Sequence, residues 1–275
     1  MSRFDVLPFP RERAIVVDAG YLGPRRHIIH GMLEVDVSRA LQLRRLLSTS
    51  DGVELSFTAF ISASLSRAIA ANPSVQGYRD WRGRLVIFHD VDVVTMIEPA
   101  PGTVALPHVI RNANRRTVRD ISEEIRSVQA NSPGSEKSRS LLTLASRVPR
   151  FGRLLFFWAV KKRPHWFRRF QGTVVVTSVG MFGSSGGWGI GFLPTHTLGL
   201  TVGGIARKPG VHDGQISVRE YLHLTISFDH DVVDGAPAAR FANELVQLLE
   251  HATVLEEEEA ALLGAETAAP AGGEW

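Results

Sequence analysis

The chain has no cysteine, which excludes disulfides, thiolate metal sites and cysteine nucleophiles. That absence suits a reducing compartment, and the cytoplasm is the expected location. No run of about 18 apolar residues occurs, so no helix is predicted to cross a bilayer. The first residues, MSRFDVLPFPRERAIVV, lack a long apolar stretch behind their basic residue and do not read as a signal peptide. Acidic residues are almost missing from one segment. Between positions 131 and 170 there are ten Lys or Arg and a single acid, Glu136. Elsewhere 21 bases face 27 acids, so an acidic body carries one basic, aromatic insert. No nucleic-acid-binding surface is expected from that balance. What the chain does have is length and apolar content: 275 residues, 44% apolar, enough for one large domain with a sizeable core.

The most informative stretch is LHLTISFDHDVVDGAPAARF, from Leu222 to Phe241. Leu222, Leu224, Ile226 and Phe228 alternate with His223, Thr225 and Ser227, a period of two that predicts a half-buried strand. The strand should stop at Asp229-His230, with a tight turn at Asp234-Gly235. Helical spacing then follows, apolar at Phe241, Leu245, Leu248 and Leu249. A histidine just past a strand end is well placed to aim a ring nitrogen into a cleft. Four residues on, the Asp234 carboxylate can pin the turn by ion pairing or by capping the helix, and Gly235 permits a sharp reversal.

Earlier segments supply further elements. His27 to Val37 predicts a strand, and Ser56 a cap for a helix over 57–71 that stops at Asn72-Pro73. Residues 78–98 read as two strands about Arg82-Gly83. Thr117 with Asp120 forms a capping-box pattern for the next helix. His27 and His30, three apart on a strand, point to opposite faces and do not suit a shared metal ion. A strand over 173–177 runs into a loop with six glycines between Gly180 and Gly191. A phosphate loop would continue into a helix, but here Pro194 and another strand follow, so no nucleotide site is expected. Arg207 to Gly214 reads as a turn-rich connection with His212 solvated, and residues 256–275 as a disordered acidic tail.

Four segments resemble one family. FDHDVVDGA looks like the active-site string of the dihydrolipoyl acyltransferases, the core component of 2-oxo acid dehydrogenase complexes. VIRNANRRTVRDISEEI and GTVVVTSVGMFG resemble two further segments of the same catalytic domain, in the expected order. SFTAFISASLSRAIAANPSV is similar to its buried first-half helix. The resemblance implies an α+β fold, a chloramphenicol acetyltransferase-like two-layer sandwich of a mixed sheet with helices. The implied domain covers 27–255, preceded by an arm over 1–26.

The resemblance also implies a chemistry. An acyl group would pass between coenzyme A and a thiol such as dihydrolipoamide, without an acyl-enzyme and without a metal. His230 would be the general base and Thr177, or its neighbour Ser178, the hydroxyl donor to the tetrahedral oxyanion. Asp234 would hold the loop through an arginine, for which Arg11, Arg13, Arg25 and Arg26 all stand as candidates. In the family the histidine and the hydroxyl come from different subunits, so a homotrimer or larger assembly is implied. Asp231 departs from the family's arginine, and a carboxylate facing the His230 ring would raise its pKa. The sequence shows no lipoyl domain, so a lipoyl carrier acting in trans is expected. The rival reading is an inactive trimeric scaffold of the same fold; a third is an acyltransferase with a hydroxyl or amine acceptor. Residues 140–170, replacing a short link, read as an amphipathic helix packed on the protein, on a partner, or peripherally on a membrane.

Overall fold

The alternating stretch around Leu222 lies in one of the two longest strands and organises the rest. In a computed structural model the strands are β1 (Ile28–Asp36), β2 (Tyr78–Arg79), β3 (Leu85–Val86), β4 (Val93–Ile97), β5 (Leu106–Ile110), β6 (Val174–Ser178), β7 (Leu198–His212) and β8 (Gln215–Asp229). The helices are α1 (Ser38–Ser50), α2 (Phe57–Ala71), α3 (Val118–Asn131), α4 (Arg150–Lys162), α5 (Pro164–Gln171), α6 (Gly235–Glu250) and α7 (Thr253–Ala268). The structure describes residues 17, 18, 20, 21, 26–50, 54–97, 106–131, 148–179, 186–212 and 214–268.

Six strands form one mixed sheet in the order β1-β8-β7-β6-β4-β5, while β2 and β3 make a separate hairpin. β6 runs parallel to both of its neighbours, and the other pairs are antiparallel. One set of alternate residues, including Val176, Leu200, Leu224 and Ile226, enters a single core with side chains of α1, α2, α3, α6 and α7. Phe228 meets Phe241 of α6 edge-to-face, ring centroids 5.9 Å apart. The Ser56 hydroxyl caps α2 by accepting the Ala59 N–H. Thr117 and Asp120 exchange reciprocal side-chain-to-backbone hydrogen bonds at 3.3 and 3.1 Å, the capping box expected for α3.

The structure corrects three expectations. The half-buried strand is buried on both faces: His223, Thr225 and Ser227 are as inaccessible as the leucines between them. Neighbouring strands flank β8 on both sides, and residues 186–193 close over part of its polar face. The segment 207–212 is strand rather than turn, because β7 and β8 pair as far as His212 and Gln215. The acidic tail does not fray at Glu256, since α7 continues to Ala268. Leu255 is fully buried, Glu256 and Glu257 pair with Arg39 and Arg67, and Glu258 accepts the Val118 N–H at 2.9 Å.

Within the basic insert, α4 and α5 pack on their own chain. Val160 and Phe167 join Tyr78 and Phe88 in a second, smaller apolar cluster. Arg168 then reaches the buried Asp92, Nε to Oδ2 at 2.8 Å, beside Arg111 at the same distance and the Asn112 N–H at 2.9 Å. Burial pushes the Asp92 carboxyl up, but the hydrogen bonds from Arg168, Asn112 and Arg111 outweigh it and hold the pKa below the ordinary value.

Candidate active site

β8 ends where its polar neighbours stop. The N–H groups of Val232 and Val233 both donate to the Asp229 carbonyl at 3.0 Å, which turns the chain through His230 to Val232. The His230 N–H donates to the His27 carbonyl at 2.7 Å, one step beyond the last strand pair, Ile28 with Asp229. The backbone of His230 is therefore fixed while its imidazole remains exposed. That is the arrangement a proton-transferring side chain needs: a rigid support and an accessible ring.

Beneath the turn lies an ion pair. Arg26 Nη1 is 3.1 Å from Asp229 Oδ2, both side chains largely buried, and Arg26 also donates to the His196 carbonyl. Burial lowers the Arg26 pKa, and the Asp229 charge works against that shift. The family resemblance implied instead that Asp234 is the carboxylate paired with an arginine. Arg11, Arg13 and Arg25 lie outside the described residues, and Arg26 is committed to Asp229. Asp234 occupies the N-cap of α6, exposed and without a capping hydrogen bond. The difference is one of solvent: a carboxylate withdrawn from water at Asp229 requires a counter-charge, and one in water at Asp234 does not. Nor does Gly235 supply a special turn, for it opens α6 with an ordinary φ and open space around its Cα.

Asp231 faces away from the role considered for it. Its Oδ1 lies 2.8 Å from His27 Nδ1, and that hydrogen bond raises the His27 pKa and lowers that of Asp231. His30 bonds instead to Ser227 at 2.8 Å, so His27 and His30 have separate partners.

The hydroxyl half of the site is elsewhere on the sheet. Register aligns Thr177 of β6 with Thr201 of β7, and Thr201 with Thr225 of β8, a row of three threonines. Strand alternation puts Thr177 on the face away from the helices, whereas Ser178 shares the side of the core residues Val174 and Val176. The glycine loop lies over that row. The Gly191 N–H donates to Thr201 Oγ1 at 3.0 Å, and a Cβ at Gly191 would stand 2.5 Å from the same oxygen and 3.4 Å from Thr177 Cγ2. Glycine is thus required there by space. Further along, Trp188 packs edge-on against the buried His223 at 4.4 Å and donates to the Leu33 carbonyl at 3.1 Å. The Gly187 carbonyl accepts the Gly204 N–H. These contacts anchor the loop. Nothing in the sequence marked Thr201, Trp188 or His223 as its supports; only the cross-strand register reveals them.

One chain does not bring its two halves together. Thr177 is level with Thr225, five residues short of His230 and two strands away. At the usual rise and strand spacing that is roughly 17 Å along the sheet and about 10 Å across it. Among the described residues, no cluster of three or more His, Asp or Glu is arranged to hold a metal ion, and no helix is long and apolar enough to cross a membrane.

The family model for the 2-oxoacid dehydrogenases acyltransferase catalytic domain matches residues 168–256. The lipoamide acyltransferase component of the branched-chain alpha-keto acid dehydrogenase complex of Bacillus subtilis is 30% identical over 224 residues, covering 80% of this chain and 46% of that protein. The chain thus spans a little under half the length of that relative. A probable dihydrolipoamide acetyltransferase from Listeria monocytogenes superposes with a TM-score of 0.68 at 21% identity, covering 91% of this chain and 95% of that one. A chloramphenicol acetyltransferase gives 0.52 at 13% identity, covering 90% and 98%. At these identities the two structures establish the fold, the α+β sandwich expected from the sequence.

Proposed function

Because the chain belongs to the family of 2-oxoacid dehydrogenase acyltransferase catalytic domains, we propose that it moves an acyl group between coenzyme A and a thiol, dihydrolipoamide being the model acceptor. The observation that carries this reading is His230, held by its backbone at a strand end with its ring in solvent. His230 takes the proton from the attacking thiol, and the sulfur adds to the thioester carbonyl. The Thr177 hydroxyl donates to the oxyanion of the tetrahedral intermediate. Collapse expels the coenzyme A sulfur, which recovers the proton from the imidazolium.

Ser178 is assigned a supporting place, since alternation turns it toward the core. Asp229 with Arg26, rather than Asp234, is assigned the task of holding the His230 turn. The distance between His230 and Thr177 requires that each site draw them from two copies, so the working form is a homotrimer or a larger assembly of trimers. The lipoyl group arrives on a separate carrier, in the cytoplasm.

The test is turnover of acetyl-, isobutyryl- and succinyl-coenzyme A with free dihydrolipoamide, for wild type and His230→Ala. General-base removal is expected to lower the rate by about 10²–10⁴ with the assembly intact. A folded wild-type trimer that transfers none of these groups would leave a scaffold of the same fold as the better reading.

A further inference from the structure

Helices α4 and α5 have an inverted pattern that acyl transfer does not use. The inward face of α4 carries Val160 and Arg153, the latter bonded to Asp18 at 2.6 Å. Phe151, Leu155, Trp158 and Lys162 fall at i, i+4, i+7 and i+11, a single outward stripe. Phe151 is 78% exposed, and Leu155 and Trp158 are each 51% exposed. Three segments distant in sequence extend this surface: Trp81 from the β2–β3 turn, the α4 stripe, and Trp166 with Phe170 from α5, all exposed.

Each of these outer rings except Phe151 has a cation beside it. Lys162 Nζ lies 3.6 Å from the Trp158 ring centroid and 5.5 Å from that of Trp81. Arg82 sits 4.8 Å from the Trp81 centroid, Arg163 4.6 Å from Trp166, and Arg169 5.9 Å from Phe170. Residues 150–171 contain seven Lys or Arg and no acid. Carboxylates that contact these helices or the β2–β3 turn are engaged: Asp18 by Arg150 and Arg153, Asp80 by Arg84, Asp90 by Arg115 and Arg168, Asp92 by Arg111 and Arg168. Most of this surface precedes residue 168, where the family match begins.

We propose that this face docks the protein on an anionic lipid bilayer. Charge complementarity selects that occupant. Rings and cations side by side match the boundary where acyl chains meet phosphate headgroups: indoles and phenyls enter the boundary, and lysine and arginine remain with the phosphates. A single apolar patch gives only marginal attachment, and a basic cluster supplies the second signal that holds a peripheral protein.

The test is flotation of the full chain with phosphatidylcholine vesicles, with and without phosphatidylglycerol, alongside native mass. Two surface variants are compared, Phe151→Ser/Leu155→Ser/Trp158→Ser and Lys162→Glu/Arg163→Glu/Arg169→Glu. Salt-sensitive flotation only with the anionic vesicles is expected, weakened about tenfold or more by either variant at unchanged mass. Three results would overturn the proposal: wild type that stays at the bottom of the gradient, flotation indifferent to charge reversal, or an assembly that shrinks in the serine variant. The last would show that a second copy covers this face. None of these readouts depends on acyl transfer.

Discussion

The two halves of the proposed site are built by opposite means. At the His230 end, support comes from charge: a buried Arg26–Asp229 pair beneath the turn, with one hydrogen bond from the His230 N–H to the His27 carbonyl just before β1. At the Thr177 end, support comes from space: a glycine loop lies close over a row of threonines and is tied down by Thr201, Trp188 and His223. The first half can be broken electrostatically and the second sterically. Since the halves sit so far apart on one sheet, each can be damaged without disturbing the other.

The largest effect is expected at the charged half. Arg26→Ala leaves Asp229 buried without a counter-charge, which should cost about 3–5 kcal/mol in urea denaturation. Asp234→Asn, on an exposed carboxylate, should change stability by no more than about 0.5 kcal/mol. A reversal of that order would return the loop-holding role to Asp234.

At the hydroxyl half, Thr177→Val removes one oxyanion donor and should lower turnover by about 10²–10³. Ser178→Ala, directed at a residue on the core side of the strand, should cost less than about tenfold. Mixing then sharpens the comparison. If His230→Ala and Thr177→Val chains are refolded together, some interfaces receive an intact histidine from one copy and an intact threonine from the other. Random assembly makes about one interface in four whole, so roughly a quarter of wild-type activity should reappear. Persistent inactivity of a well-assembled mixture would mean the two residues do not share a site.

How much of this could be read beforehand differs between the halves. The strand end at His230 was legible because period-two alternation gives way there to helical spacing, and both periods are local. The fold was implied by the resemblance of several segments in order, while local patterns such as the Ser56 cap and the Thr117–Asp120 box placed only individual helices. Arg26 was one of four arginine candidates, and its partner in the fold is Asp229, since burial rather than spacing decides which carboxylate needs a counter-ion. The face on which Thr177 lies was likewise hidden. It depends on the parallel pairing of β6 with β7, whose partners are more than 20 residues apart in sequence. Burial of His223, Thr225 and Ser227 was missed because alternation reports a strand's own pattern and not the loop that covers it. Paired charges also stabilised the start of α7 where four successive glutamates suggested disorder: two of them meet arginines from α1 and α2.

The smallest effect concerns the link between the insert and the His230 turn. Phe167 of α5 packs against His196, ring centroids 5.4 Å apart, and the His196 carbonyl holds Arg26, which in turn holds Asp229. The imidazole of His196 is buried, with Nε2 donating to the Gln171 carbonyl at 2.6 Å, and burial pushes its pKa down to about 4. In the unfolded chain the same ring titrates near about 6.5. Between these values the unfolded state binds the extra proton, so stability rises with pH: the contribution is complete above the unfolded pKa and shrinks as pH falls toward the folded one. From pH 7.5 to 5 the loss should be about 2 kcal/mol. His27, whose pKa is raised by Asp231, acts in the opposite direction, losing its contribution as pH rises. A His196→Gln variant keeps a donor for the Gln171 carbonyl and removes the titration. Urea midpoints of wild type should therefore fall more steeply than those of the variant over this range. Parallel curves would place a protonated, solvated ring at position 196 and undo the packed path from α5 to the His230 turn.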